Sequence, residues 1–477
     1  MTFNPSTLSL TYYQGDSERL AVHVDVTGNL SGTVYVSVTQ SEDILSESEL
    51  SPISSSSFTA YVSTSPTLTP GHHLGNLEVH LCPDSNCARE FGGSPFPFPY
   101  DVTVISSFNE KPLAAWPGIP EWATFRGTET RRGHIPITLD PTQFSGRWLW
   151  RAPPQTDNRI GDRLAGPATG DGRVYLAVYD SRDFGLMAIR ESDAGEEWAI
   201  PVADQTYMHA PGFSNGVAFS ILTDTNNGYL QAFDAASGSS LFSSIFRGQS
   251  AAAPTFYGSK IYVGGSQFDS TTGNQDWCCT NAGAGAVDSN YVYSGLLQVL
   301  DRSTGNVLFT IPGNSGLDDG CDGEGQFGLV LGETAGQVFA SSRGTLNAFD
   351  VNTQSLSWSV AGHYCPTLTL VNGVIYAVNA NPLQIEARNA ADGALLWAWV
   401  PPTGDSWFYG DPVATDNILF ASTDKAVHAI DLSTHAEVWT YYKPGSLAIS
   451  PNGVLYILRA DPSGPYLDGS VAAINLQ

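Results

Sequence analysis

The sequence predicts an all-β protein: an N-terminal β-sandwich followed by an eight-bladed β-propeller, closed by pairing of the first and last strands of the ring. Three observations carry this expectation. Only 14% of residues are charged while Gly and Pro number 48 and 29, the balance of short strands joined by many turns. The first hundred residues alternate apolar and polar side chains with the period of a strand. Beyond residue 146 one hairpin pattern recurs at a period of about 40 residues, a spacing that decides the architecture of a long chain.

Residues 1–105 form the first predicted domain. Stretches at 20–26, 34–38, 77–81 and 100–104 alternate in strand fashion, separated by Gly, Ser and Pro clusters, and read as an antiparallel sandwich. The serine run 54–57 reads as a loop between strands. Cys82 and Cys87 sit in Cys-Pro-Asp-Ser-Asn-Cys, a short polar turn that predicts a disulfide and hence an oxidising compartment. The expectation is a secreted, periplasmic or cell-surface protein whose signal sequence has been removed. On its general strand pattern this half resembles the immunoglobulin-like domains of bacterial surface and secreted proteins.

Residues 106–145 read as a stiff, irregular bridge. Pro112, Pro117, Pro120, Pro136 and Pro141 cannot enter a central strand. The cluster Trp122-Ala123-Thr124-Phe125-Arg126-Gly127 predicts that the bridge packs on the propeller. Arg131-Arg132-Gly133-His134 is too short to form a basic patch.

Residues 146–477 hold the repeats. The clearest copy is Val427-His428-Ala429-Ile430-Asp431, then a polar turn, then Glu437-Val438-Trp439. An Asp closes one strand, and an aromatic sits eight positions later in the next. The frame also fits Asp234 with Phe242, Asp269 with Trp277, Asp301 with Phe309, Asp350 with Trp358, Asn389 with Trp397 and, with Arg in the acidic slot, Arg190 with Trp198. Each copy follows two apolar strands, so each unit has four strands, as a propeller blade does. Val471-Ala472-Ala473-Ile474-Asn475 is an eighth third-strand without a successor, and Arg147-Trp148-Leu149-Trp150 is an orphan strand carrying the missing aromatics. Pairing the two gives the count of eight and removes a free edge.

The Ala-x-Asp-x-x-x-Gly-x-x-x-Trp frame, with Trp-x-x-Phe-Arg-Gly before it, resembles the pyrroloquinoline-quinone-like (PQQ-like) β-propeller repeat proteins of bacteria over about residues 122–477. That superfamily includes quinoprotein alcohol dehydrogenases and the outer-membrane β-barrel assembly lipoprotein. The resemblance implies packing roles for Trp198, Trp277, Trp358, Trp397 and Trp439, which dock blades together. A repeat of this kind is a structural device, so it carries the fold further than the function.

Chemistry is expected in what does not repeat: the loops from one unit's aromatic to the next unit's first strand. They contribute Tyr207, His209, His363, Tyr364, Asp405, Trp407 and Tyr409 as candidate ligand- or partner-binding residues, with exposed Tyr207, Trp407 and Tyr409 as aromatic anchors. The adjacent Cys278 and Cys279 are similar to the vicinal disulfide on which quinoprotein dehydrogenases stack their quinone, although the catalytic Asp, the Arg and the calcium ligands of those enzymes find no match. A second reading has these cysteines bridging neighbouring loops, with Cys321 and Cys365 as partners. Asp318, Asp319, Asp322 and Glu324 lie within seven residues on a Gly-rich loop and would suit Ca²⁺; a solvated acidic loop is the competing reading. His209 and His363 fall in the second and sixth units, too far apart around a ring to share one metal.

A net charge of −26, from 21 basic and 47 acidic residues, excludes nucleic acid and anionic membranes as partners, since both need clustered Lys and Arg. No run approaches the ~18–20 apolar residues of a membrane span. No nucleophile elbow, zinc-helix motif, phosphate loop or dinucleotide fingerprint is present. The reading is a binding or scaffold protein of the cell envelope, needing no cofactor, whose ring mouth recognises a protein, peptide or glycan. The alternative is a PQQ- and Ca²⁺-dependent oxidoreductase acting on alcohols or sugars.

Overall fold

Ten small sheets carry nearly all the regular structure, and the one helical element among the described residues is a 3-10 turn at Pro141–Gln143. The computed structural model describes residues 1–26, 34–54, 57–105, 110–152, 164–178, 184–202, 207–224, 227–247, 253–278, 284–294, 297–311, 329–342, 344–459 and 469–477. The chain divides into two compact units, Met1–Phe108 and Asn109–Gln477.

The first unit is two four-stranded sheets. One runs in the order Thr2–Asn4, Arg19–Asp25, Ser57–Thr64, Leu45–Ser54; the other runs Leu8–Tyr13, Phe96–Ile105, Gly71–Cys82, Tyr35–Thr39. Val22, Val24 and Val62 from the first sheet pack with Leu77, Phe98, Val102 and Val104 from the second in one apolar core. The expectation of a purely antiparallel sandwich is corrected at one place. Leu8–Tyr13 pairs parallel to Phe96–Ile105, because these early and late strands are joined through the rest of the unit and not by a hairpin. Cys82 and Cys87 form a disulfide at one end of the long Gly71–Cys82 strand.

In the second unit, eight antiparallel sheets follow one another along the chain. In the eighth, the C-terminal strand Ser470–Asn475 pairs with Ser145–Arg151 from the start of the unit. The repeated hairpin has a physical basis. Asp431 caps its turn by accepting the amides of Ser433 and Thr434 on Oδ1 at 2.9 and 2.8 Å, and Asp234 accepts that of Ser237 at 2.9 Å. The residue four after the Asp, or after Asn389 in the sixth sheet, takes a left-handed φ, 69° at Gly238 and 73° at Gly393, where glycine has no steric cost. Ala194, Gln354 and His435 hold the same conformation without that advantage, at 58°, 53° and 60°.

The aromatic slot is equally regular. Ala188 faces Trp198, Ala348 faces Trp358, Ala387 faces Trp397, Ala429 faces Trp439 and Ala473 faces Trp148, each beside a bulge in the ladder. The bulge turns the ring off the sheet toward the next one. There the indole N–H of Trp198 donates to Ala235 O at 3.0 Å, Trp277 to Arg302 O at 3.1 Å, Trp358 to Ala390 O at 3.0 Å and Trp148 to Glu191 O at 2.9 Å. Trp397 instead stacks on His435 with centroids 4.2 Å apart, and Trp439 meets Phe144 edge-on at 5.6 Å.

The proline-rich stretch does more than pack on a surface. It is a strap that hydrogen-bonds to the first strands of the sheets in order. Thr169 N donates to Trp122 O at 2.8 Å, Phe213 N to Ala123 O at 2.8 Å, Val287 N to Glu129 O at 2.9 Å, Leu331 N to Thr130 O at 3.1 Å, Leu370 N to Arg132 O at 3.1 Å and Ala414 N to Gly133 O at 2.8 Å. The third sheet joins through Thr124, whose hydroxyl donates to Pro254 O, and through Arg131, which donates to Thr255 Oγ1 at 3.1 Å. Trp116 N donates to Pro451 O of the eighth sheet at 2.8 Å. Arg131 is 2% exposed, and Arg132 donates to the carbonyls of Leu331 and Gly332, so these arginines are internal fasteners of the strap.

Candidate functional site

Four antiparallel strands in chain order place the first and third turns at one end of a sheet. The middle turn and the link to the next sheet lie at the other. The strap bonds beside the first turns, at the turn end. The candidate binding residues belong to the loop end.

The best-defined loop-end feature is the link between the sixth and seventh sheets, residues 400–412. It behaves as a short extra strand: Phe408 pairs with Thr423, Tyr409 N donates to Ser422 O at 2.8 Å, and Asp424 N donates to Trp407 O at 3.0 Å. Asp424 Oδ1 accepts Ser406 N at 2.8 Å. Strand alternation then sets the side chains. Phe408 is 5% exposed and packs with Trp399 and Leu419, while Trp407 and Tyr409, two residues apart, form a half-buried aromatic pair with centroids 5.6 Å apart. The sequence predicts exposed rings here, and both are half-buried.

Asp405 turns inward, away from a surface role. Its carboxylate is 7% exposed and lies 3.4 Å from Nε2 of buried His428, whose Nδ1 is 3.0 Å from Glu437 Oε2. The next acid, Asp411, meets Arg126 of the strap at 3.3 Å. Arg126, Asp411 and His428 were not singled out from sequence. The available signal was an arginine set between Phe125 and Gly127 in the proline-rich stretch.

The other candidates are dispersed. Tyr207 opens a short strand against Thr223, and His209 lies beside it with Nε2 2.9 Å from Thr223 Oγ1. Burial lowers the His209 pKa to about 4, so the ring is neutral at pH 7. His363 is exposed, on the approach to the sixth sheet. Tyr364 is a core residue and not a surface contact: it is 2% exposed, and its hydroxyl donates to Glu386 Oε2 at 2.7 Å. Glu386 also accepts Arg388 Nε at 2.7 Å, and burial raises the Tyr364 pKa.

Cys278 is exposed and Cys365 buried, and both are disulfide-bonded. Cys279, Cys321, Asp318, Asp319, Asp322 and Glu324 lie outside the described residues. Among the described residues no three His, Cys, Asp or Glu side chains gather as a metal-ligand set. No described helix is long and apolar enough to cross a membrane.

Residues 131–399 match the family model described as outer membrane protein assembly factor BamB (PQQ_2). The chain belongs to this family. It is therefore a PQQ-like β-propeller protein. The solved structure of BamB from Moraxella catarrhalis is similar in fold, with 18% identity, a TM-score of 0.50, and coverage of 69% of this chain and 100% of that one. Dihydro-heme d1 dehydrogenase NirN in complex with DHE aligns at 12% identity and a TM-score of 0.46, over 65% of this chain and 75% of its own. No curated protein matches the chain.

Proposed function

We propose that this protein is a binding scaffold of the cell envelope or its exterior, and that it captures a protein partner at the loop end of a closed, eight-bladed ring. The observation that carries the reading is the braced 400–412 loop, which presents Trp407 and Tyr409 side by side. Large aromatic side chains held in one orientation bury much area with little loss of conformational freedom, as hot-spot residues do.

The ring itself is supported by the reach of the strap. Residues 122–137 span at most about 50 Å when extended, yet they bond to seven consecutive sheets, so the first strands of those sheets converge. The eighth sheet joins the seventh and the first through Trp439–Phe144 and through Trp148–Glu191. With the strap along the turn end, the loop end is the free approach to the axis. The family's description as an assembly factor favours a protein as the partner over a glycan. The first unit, in this reading, is an immunoglobulin-like module that holds the ring at a surface.

Affinity capture from the source organism's envelope fraction tests the proposal. Wild-type protein should retain a partner that Trp407→Ala does not, with the two proteins melting at the same temperature. Equal capture by both would remove the loop from the account. Uptake of PQQ and Ca²⁺ with dye-linked alcohol oxidation would replace the scaffold with the oxidoreductase.

A further inference from the structure

The strap and the aromatic loop meet at one buried ion pair. Arg126 and Asp411 have side chains only 4% and 13% exposed, with Nη1 3.3 Å from Oδ2. The same guanidinium donates through Nη2 to Thr369 Oγ1 at 2.9 Å and to Leu368 O, and through Nε to Arg131 O at 3.0 Å. The Thr369 hydroxyl in turn donates to Pro412 O at 2.6 Å. One planar side chain therefore grips the last two residues of the loop, the first directly and the second through Thr369. Gly133 makes room for it: at φ 64°, a Cβ there would lie 2.7 Å from Arg126 Nη2 and 3.3 Å from Pro412 O.

We infer that Arg126 is a positioning residue for the partner-binding loop, locking residues 400–412 through Asp411 and Thr369 so that Trp407 and Tyr409 present one orientation. This rests on the reading that those two aromatics bind the partner. The fork geometry matters as much as the charge, because only a guanidinium reaches Asp411, Thr369 and Leu368 from one plane. Burial depresses the Arg126 pKa, with Asp411 opposing the shift, as expected for a desolvated cation that depends on one carboxylate. The arginine of the Trp-x-x-Phe-Arg-Gly segment thereby gains a role at the site.

The test needs no partner. Asp411→Asn and Thr369→Val, each in the full chain, are compared with wild type by amide hydrogen exchange. The amides of Ser406, Tyr409 and Asp424 should exchange at least about tenfold faster in Asp411→Asn, while those of the Val374–Ala380 strand keep their rates. Thr369→Val should show the same pattern more weakly. In protein labelled with 5-fluorotryptophan, the resonance assigned by Trp407→Phe should broaden in both variants. Unchanged loop exchange would overturn the inference, as would loop and strand accelerating by the same factor, which marks a purely global effect. Neither result bears on partner capture, which Trp407→Ala tests separately.

Discussion

The indole N–H of Trp148 donates to the main-chain oxygen of Glu191 at 2.9 Å, in the same way that Trp198 reaches Ala235 one sheet later at 3.0 Å. Trp148 stands near the start of the second unit, on a strand paired with the chain's last strand. If the ring is closed, its bond is one more copy of the inter-blade contact. Trp148→Phe and Trp198→Phe, which keep the ring and lose the donor, should then each cost about 1 kcal/mol in urea unfolding. A cost at Trp198 with none at Trp148 would leave the ring open at that seam.

Gln354 and His435 occupy the left-handed turn slot that glycine fills elsewhere, at φ 53° and 60°. Gln354→Gly should raise stability by about 1 kcal/mol by removing the steric cost of that conformation. His435→Gly should gain less or nothing, because the imidazole stacks on Trp397 at 4.2 Å. Melting temperatures of the two variants decide this.

Two acid-sensitive windows are expected. Burial holds His209 at about 4 against an ordinary 6.5, so its contribution to stability is complete above pH 6.5 and disappears as the pH falls toward 4. Hydrogen bonds from the turns hold two carboxylates at about 2 against 3.8, chiefly from Thr272 to Asp269 and from Ser433 to Asp431. Their contribution is complete above about pH 4 and is lost between there and pH 2. Melting curves from pH 2 to 7 should lose the upper slope in His209→Asn and the lower one in the Asp269→Asn/Asp431→Asn double variant.

The Cys82–Cys87 bridge closes a loop of sequence separation 5 in the first unit. Replacing both cysteines by serine should cost about 2 kcal/mol through the freed unfolded chain. The loss should appear in probes of the first unit, such as exchange along Gly71–Cys82, and leave strands of the second unit unaffected.

The repeating units were legible because their signals are local. An Asp that caps its own turn and an aromatic eight residues later lie within one hairpin, so spacing alone reveals them. The strap was not legible for the opposite reason. Its partners lie between 47 residues away, for Trp122 with Thr169, and 335 away, for Trp116 with Pro451, and no periodicity marks them. At the site, Trp407 and Tyr409 could be picked out as aromatics in a polar link, but Phe408 between them turns inward through strand pairing that the link's composition does not announce. Asp405 likewise read as a surface acid, because nothing near it in sequence points to His428. Tyr364 was read as a loop residue although Leu368 and Leu370 continue its strand, since Pro366 interrupts the alternation.

In the proposed function a protein partner engages the loop end through Trp407 and Tyr409. The most direct measurement is the affinity of the captured partner for wild type, for Trp407→Ala/Tyr409→Ala and for Ser289→Arg, an exposed turn-end control on the fourth sheet. The aromatic pair should lose at least about 100-fold, about 2.7 kcal/mol, as hot spots give, and the control should keep wild-type affinity. Undiminished binding by the aromatic variant, or a loss at Ser289→Arg instead, would contradict it.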